Sequence, residues 1–425
     1  MRFKRLFVFL LTTFLLLFNS YSFATDSNSN SSLFINSEAA ILVDSSTGKI
    51  LFEKNANQKM YPASTTKILT AILTLENCEL TDKATVSYNA VMSVPSGYSN
   101  AALQIGEELT IEELLQVLLV HSANDAANVL AEHVGGSIES FASMMNTKAQ
   151  EIGCKNTHFT NPSGKHDNDH YTTAYDLSLI ARYCMKNSTF RYMVSQKTCH
   201  INATNKYDER TFTNTNDLLK VNNTNRKDNY YYKYAIGIKT GYTSQAKNCL
   251  ISASNKDGFE TLAVVLGAAQ TNDGLSARYI DSKNLFEYGY SNYTIKKLKS
   301  KDDKITEVDI AKATKETKKL DLSISQDITV LIKQSEINNN ILPTININNN
   351  LTAPISKGTI VGKVKYVVDD IEYSADLIAA NDVEKSTFTI QLIQIILLLI
   401  VLFVIYKLIS FKKKKNKKKR KKLMY

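Results

Sequence analysis

From Phe388 to Ile409 the chain carries a run of 22 residues in which only Gln391, Gln394 and Lys407 are strongly polar. At about 1.5 Å per residue, a helix of this length reaches about 33 Å, enough to cross the hydrocarbon core of a membrane. An amphipathic helix lying on the surface is the alternative, but Ile395 to Ile405 is apolar all the way round and offers no polar face. Ten cations follow with no acid among them: Lys412 to Lys415, Lys417 to Lys419, Arg420, Lys421 and Lys422. The excess of positive charge predicts a transmembrane helix over 388–409, a basic cytoplasmic tail over 410–425, and everything from Thr25 to Lys385 outside the cell membrane.

The N-terminus agrees with this topology. Arg2, Lys4 and Arg5 precede an apolar run from Leu6 to Phe18, and Ser22-Phe23-Ala24 is a small-x-small cleavage pattern. Residues 1–24 read as a secretory signal peptide. An anchor that is never removed would also export the body, but the apolar run is short for a span.

The ten tail cations equal the whole formal net charge of +10. Once the other terminal cations are set aside, the body is slightly acidic, so no nucleic-acid partner is expected. Apolar residues at 44% and charged residues at 22% exclude a disordered chain and a many-span membrane protein. A length of 425 residues calls for at least two folded units. The five cysteines, Cys78, Cys154, Cys184, Cys199 and Cys249, form no paired spacing and read as free small apolar side chains, although an oxidising exterior leaves one bridge open.

Thr25 to Ser32 is a polar linker. Ala40 to Val43 and Ile50 to Phe52 flank Asp44-Ser45-Ser46-Thr47-Gly48, a hairpin signal. Helices follow. Thr110 and Glu113 form a capping box ahead of Leu114, Leu115, Leu118 and Leu119, and Ser137 opens a helix that Gly153 closes. Tyr234 to Lys239, Cys249 to Ala253 and Thr261 to Leu266 read as strands, the last two joined through Asp257-Gly258. Strands at both ends with helices between predict an α+β unit over 33–290, an antiparallel sheet flanked by helices. Beyond it, Lys301 to Lys319 is charge-rich, and short strands at Ile328–Ile332, Thr344–Ile347, Gly362–Val368 and Glu372–Leu377 predict a small all-β domain over 291–382.

Three motifs stand in order in the first unit: Ser64-Thr65-Thr66-Lys67, Ser122-Ala123-Asn124 and Lys239-Thr240-Gly241. Each alone has a plain explanation, as a helix cap, a helix-end hydroxyl or a solvated strand lysine. Together they form the set of serine β-lactamases and penicillin-binding proteins. Ser64 and Lys67, at i and i+3, share one helix face. A serine hydroxyl becomes a nucleophile when a neighbouring base takes its proton, and a lysine serves as that base only when neutral. Burial and a second cation, here Lys239, depress a lysine's pKa. Ser122 and Asn124 are placed to relay a proton and hold a substrate amide. Lys239 attracts a substrate carboxylate, Thr240 hydrogen-bonds it, and Gly241 admits close approach of the substrate backbone. The backbone N–H groups of Ser64 and Tyr242 would form an oxyanion hole.

On these residues the chain resembles the low-molecular-mass penicillin-binding proteins that are D-alanyl-D-alanine carboxypeptidases. The resemblance extends to Tyr61-Pro62-Ala63, Ser122 to Ala127, Asn161-Pro162-Ser163-Gly164, His170 to Ala174 and Gly237 to Thr243. It covers roughly Leu33 to Tyr290 and, more loosely, the β domain around Ala353-Pro354-Ile355 and Lys357 to Gly362. It implies a β-lactamase/transpeptidase-like catalytic domain, Ser64 as acyl-enzyme nucleophile, Lys67 as proton acceptor, Ser122 as second active serine and Lys239 as substrate-binding residue. The implied reaction removes the terminal D-alanine from peptidoglycan stem pentapeptides, with β-lactam antibiotics acylating the same serine. The sequence departs from the pattern at Lys165, where an apolar residue is expected, and at Lys247, where glycine is expected. Its anchor is a full span rather than an amphipathic helix.

The chemistry requires no metal and no cofactor. His166 and His170, with Asp167 and Asp169 between them, have ligand-like spacing, but a solvated loop explains them. Arg278 is a second candidate carboxylate anchor. A β-lactamase would need a deacylating glutamate, and none stands in the loop from Asn161 to Thr173. Endopeptidase or transpeptidase action, and a non-catalytic wall-binding role, are the remaining alternatives.

Overall fold

In a computed structural model, residues 33–221 and 228–422 are described. The signal-peptide and linker expectations lie outside these residues. The hairpin signal at Asp44–Gly48 resolves as strands β1 (Ala39–Asp44) and β2 (Ile50–Lys54). Three more strands, β3 (Ala235–Thr243), β4 (Lys247–Lys256) and β5 (Phe259–Ala268), complete a sheet of order β2-β1-β5-β4-β3, antiparallel throughout. The strands from the two ends of the segment meet as β1 and β5, with Ile41 opposite Val264. Asp257 and Gly258, both at positive φ, make the β4–β5 turn.

Helices cover both faces of this sheet. On one side, Lys67–Asn77, Asn124–Gly135, Ile138–Ile152 and Ala174–Met185 pack a large apolar core with Ile41, Val43, Ile251 and Val264. On the other, Ala277–Asn292 packs Leu285 and Phe286 against Leu42, Leu250 and Val265. The alternation of β1 explains this division: Ile41 and Val43 face one layer, Ala40 and Leu42 the other. The capping box is present, with Thr110 Oγ1 accepting from Glu113 N–H at 3.2 Å and Glu113 Oε2 accepting from Thr110 N–H at 3.0 Å. Leu114, Leu115, Leu118 and Leu119 are all fully buried.

The C-terminal unit has its own core, centred on Leu322, Val330, Val364 and Leu377. The four expected strands lie at 328–333, 344–347, 360–368 and 371–379. Two further strands appear, Lys304–Asp309 inside the stretch read from sequence as charge-rich and Lys319–Ile324 starting at its last residue. Their charges alternate outward, as in the Lys304–Glu307 and Lys319–Glu307 pairs, while Leu320 and Leu322 point in. Tyr293–Lys299 pairs with Ile328–Lys333, and Leu331 of that ribbon joins the core of the first unit beside Phe286. The Lys49–Asp369 ion pair also links the two units.

All five cysteines are free. The C-terminal apolar run is helical, and the same helix, Phe388–Lys422, continues into the basic tail. Nothing in the lysine-rich segment opposes helix propagation except mutual repulsion, and lysine is a good helix former. Among the described residues this is the one helix long and apolar enough to cross a membrane, and its apolar side chains are exposed.

Candidate active site

Three local structures meet at one cleft. The first is a tight turn over Ala63–Thr66 that runs into the Lys67–Asn77 helix. It begins after Pro62, and Ala63, buried, is held at φ +48°. That left-handed residue sets Ser64 out toward the cleft, a backbone cost that the surrounding packing must hold in place. Gly164 packs directly on it: a Cβ at Gly164, whose φ is +80°, would stand 1.8 Å from Ala63 O.

The second is the end of the Ile111–Gln116 helix, which widens into a π-type turn over Val117–His121 and stops at Ser122, held left-handed at φ +70°. The next helix starts at Asn124. The reversal presents Ser122 and Asn124, two residues apart, to the same cleft. The third is β3, whose Gly241 passes so close to the nucleophile turn that a Cβ there would lie 2.9 Å from Pro62 O and 3.1 Å from Ser64 N.

Lys67 is the centre of the arrangement. It is fully buried, and its Nζ donates to Ser163 O at 2.6 Å and to Asn124 Oδ1 at 2.9 Å, and lies 2.9 Å from Ser64 Oγ. Burial pushes its pKa well down, the nearby Lys239 pushes it further, and the Asp125 carboxylate opposes both. A neutral amine has two N–H donors and one lone pair. Ser163 O and Asn124 Oδ1 are pure acceptors, so the two donors go to them and the lone pair is left for the Ser64 hydroxyl.

Lys239 is also buried, and burial together with Arg278 pulls its pKa down to about 7. Its Nζ donates to Thr240 O at 3.1 Å. The Thr240 hydroxyl pairs with that of Thr215 at 2.6 Å. Tyr242 lies largely exposed at the cleft edge. Arg278 lines the cleft and donates from Nη1 to Gly241 O at 3.3 Å, while its Nε is buried with no partner among the described residues. The cleft encloses about 570 Å³.

Every residue singled out in the three motifs, from Ser64 and Lys67 through Ser122 and Asn124 to Lys239, Thr240, Gly241 and Tyr242, therefore comes to one place. Asn124 is more occupied than expected, because its Nδ2 already donates to Ser99 O at 2.6 Å. His166 and His170 do not converge with the intervening aspartates. His170 is buried, its Nε2 lies 2.8 Å from Thr66 Oγ1, and its Nδ1 accepts from Thr160 N–H at 3.1 Å. Burial draws its pKa down to about 3, so the ring is neutral and braces the nucleophile turn.

Sequence reasoning missed three participants. The Ser163 and Ser99 carbonyls are backbone atoms and have no residue-type signal. Asp125 had one, as an acid in a first helical turn. Its carboxylate accepts from the N–H groups of Ala101 and Leu103 and so ties the cleft-rim loop to the helix that carries Asn124.

This frame, a five-stranded antiparallel sheet with a Ser-x-x-Lys helix against its edge strand, defines a serine peptidase of the penicillin-binding class. The chain belongs to the D-alanyl-D-alanine carboxypeptidase family, whose profile matches residues 26–270, and the C-terminal domain of penicillin-binding protein 5 matches residues 293–385. D-alanyl-D-alanine carboxypeptidase DacF of Bacillus subtilis is 32% identical over 91% of this chain and 96% of its own length. The D-alanyl-D-alanine carboxypeptidase of Streptomyces sp. K15 is 33% identical over 59% of this chain and 85% of its own. Among solved structures, a peptidoglycan synthesis regulatory factor (PBP3) from Streptococcus pneumoniae superposes with a TM-score of 0.70 at 25% identity, covering 83% of this chain and all of that one. Penicillin-binding protein 5 from Haemophilus influenzae gives 0.62 at 28% identity over 83% of this chain and 98% of that one.

Proposed function

We propose that this enzyme, a serine-type D-Ala-D-Ala carboxypeptidase, removes the terminal D-alanine from peptidoglycan stem pentapeptides through an acyl-enzyme on Ser64. The observation that carries the reading is the coordination of Lys67 Nζ: of its three oxygen neighbours, only Ser64 Oγ bears a transferable proton. Lys239, aided by Arg278, attracts the terminal carboxylate, and Thr240 hydrogen-bonds it.

As Ser64 Oγ bonds to the carbonyl carbon of the penultimate D-alanine, its proton passes to neutral Lys67. The negative oxygen that forms is met by the N–H groups of Ser64 and Tyr242. Collapse breaks the C–N bond, and the leaving nitrogen takes the proton from Lys67 by way of Ser122. Water then attacks the ester carbonyl carbon, giving a proton to Lys67; as the acyl C–Oγ bond breaks, Lys67 returns that proton to Ser64 Oγ, and the shortened stem leaves with the water oxygen in its carboxyl group. A β-lactam acylates Ser64 in the same way but leaves no departing amine, so its adduct is long-lived.

In this reading residues 1–24 are the signal peptide, 33–290 the catalytic domain and 291–382 a spacer carrying it above the membrane. Residues 388–409 span the cell membrane, with the tail from 410 in the cytoplasm. A second outcome of the same acyl-enzyme has support: the Streptomyces K15 structure, matching at a TM-score of 0.54 and 33% identity over 60% of this chain, is that of a DD-transpeptidase. Transfer to an amine in place of water would give a cross-linked product.

The test is a mass spectrum of the purified protein after incubation with penicillin and, separately, product analysis with a defined pentapeptide. A single adduct on Ser64 with release of free D-alanine is expected. Unchanged D-alanine release by Ser64→Ala overturns the reading. Rapid hydrolysis of penicillin by the wild type would instead mark a β-lactamase.

A further inference from the structure

Far from the cleft, Cys78, Asp82 and His133 bring their Sγ, carboxylate oxygen and ring nitrogen within 4.8 Å of one another. We propose that these three side chains form a binding site for a borderline divalent cation of the zinc class, with water completing a tetrahedral shell.

The donor set has the right chemistry. Thiolate, imidazole and carboxylate are the ligand types that zinc takes, at about 2.0–2.3 Å, and a tetrahedron with those bonds separates its donors by about 3.4–3.7 Å. The three atoms need close by only about 1 Å to reach that shape, and the exposed His133 ring can swing to do so. The backbone beneath them is held. Cys78 N–H donates to Thr74 O at 3.0 Å, Asp82 N–H to Glu79 O at 3.1 Å, and Ile111 N–H to Asp82 O at 2.9 Å. The Asp82 carboxylate is itself oriented, since its Oδ2 accepts from Glu79 N–H at 2.9 Å, the kind of outer contact that fixes a ligand before the metal arrives.

A second observation independently favours a cation there. Cys78 caps the C-terminus of the Lys67–Asn77 helix, and His133 lies in the last turn of the Asn124–Gly135 helix. Both helices thus turn their partially negative ends toward the same spot.

The placement gives the site a role. The N-terminal residues of these two helices are Lys67 and Asn124, bonded to each other at 2.9 Å. A metal bridging Cys78 and Asp82 to His133 would tie the far ends of the same helix pair, about 16 Å away along the axis. The pair would then be pinned at both ends, by a hydrogen bond in the cleft and by coordination at the rim. On binding, the Cys78 thiol gives its proton to solvent as the metal–sulfur bond forms.

The experiment uses the full chain in detergent, stripped with a chelator and titrated with zinc chloride, and separately with cobalt(II) to reveal thiolate coordination by its charge-transfer absorption. One equivalent of zinc should bind and raise the unfolding midpoint. Loss of a metal ligand's outer-shell partner alone costs 10–100-fold in affinity, so Cys78→Ala and His133→Ala should each weaken binding by at least about a hundredfold. Cys78→Ala should also abolish the charge-transfer band. His166→Ala should leave both unchanged. Labelled-penicillin capture by every variant reports that it is folded. Sub-stoichiometric zinc, wild-type affinity in Cys78→Ala, or a cobalt spectrum without thiolate character would overturn the assignment.

Discussion

Lys67 Nζ donates to the carbonyl oxygen of Ser163 at 2.6 Å, from a loop that lies nearly a hundred residues further along the chain. With Asn124 Oδ1 as a second acceptor, that carbonyl dictates where the lone pair of a neutral Lys67 must point. The base is therefore aimed by backbone as much as by side chains.

Removing the base tests this. Lys67→Ala should lower the rate of Ser64 acylation by penicillin by about 10²–10⁴-fold, the range for loss of a positioned general base. Stopped-flow acylation measures it. Retention of more than a tenth of the wild-type rate would show that another group takes the proton.

The pH profile follows from the two lysines. Lys239 must be protonated to attract a carboxylate, and its pKa lies near 7, so kcat/KM for a carboxylate substrate should fall as pH rises through about 7. The bound carboxylate holds the proton on Lys239, so the alkaline limb should move upward in kcat. Lys239→Gln should remove the limb, and an unchanged limb would assign it elsewhere.

Stability carries the same signature. Lys239 is neutral above about pH 7 in the folded protein but keeps its proton to about 10.4 when unfolded. Between those values the unfolded chain binds more protons, so stability should rise with pH across the window. Lys239→Met should flatten that slope in denaturant titrations.

His170 acts on the acid side. Its folded pKa near 3 lies below the unfolded value near 6.5, so its contribution is present in full above pH 6.5 and is lost as pH falls toward 3. His170→Gln should flatten stability across that window. His170→Ala, leaving Thr66 and Thr160 without their partner, should destabilise by about 1–3 kcal/mol. Thermal melts at pH 5 and pH 7.5 separate the two effects.

Gly164→Ala should be disproportionately harmful for one methyl group. The new Cβ would stand 1.8 Å from Ala63 O, on a backbone already at φ +80°. Either the 161–164 loop or the nucleophile turn must move, and both carry a contact of Lys67. Acylation should fall by more than about tenfold, since misplacement by about 1 Å costs on that order or more. Near-normal acylation with a lowered melting midpoint would mean that the loop yields and the turn does not.

The motif residues were legible because their chemistry resides in side chains at short spacing. Ser64 and Lys67 share a face whichever way the rest of the chain folds, and the hairpin around Asp44–Gly48 and the capping box at Thr110 are equally local. The strands at 304–309 and 319–324 were not legible, because charged residues on their outer faces mask the alternation that Leu320 and Leu322 carry inside.

What the chain's own order of residues determined was the inventory: an apolar C-terminal helix with basic flank, two folded units, and three motifs able to supply a nucleophile, a base and a carboxylate anchor. Folding alone decided that Lys67 and Lys239 share a dry environment, that Ser163 and Ser99 offer carbonyls to the site, and that His170 is a brace and no ligand. The reason is physical. A side chain's identity is written in sequence, but its desolvation and the direction of its lone pairs depend on backbone groups brought from distant segments, and every residue carries the same backbone atoms.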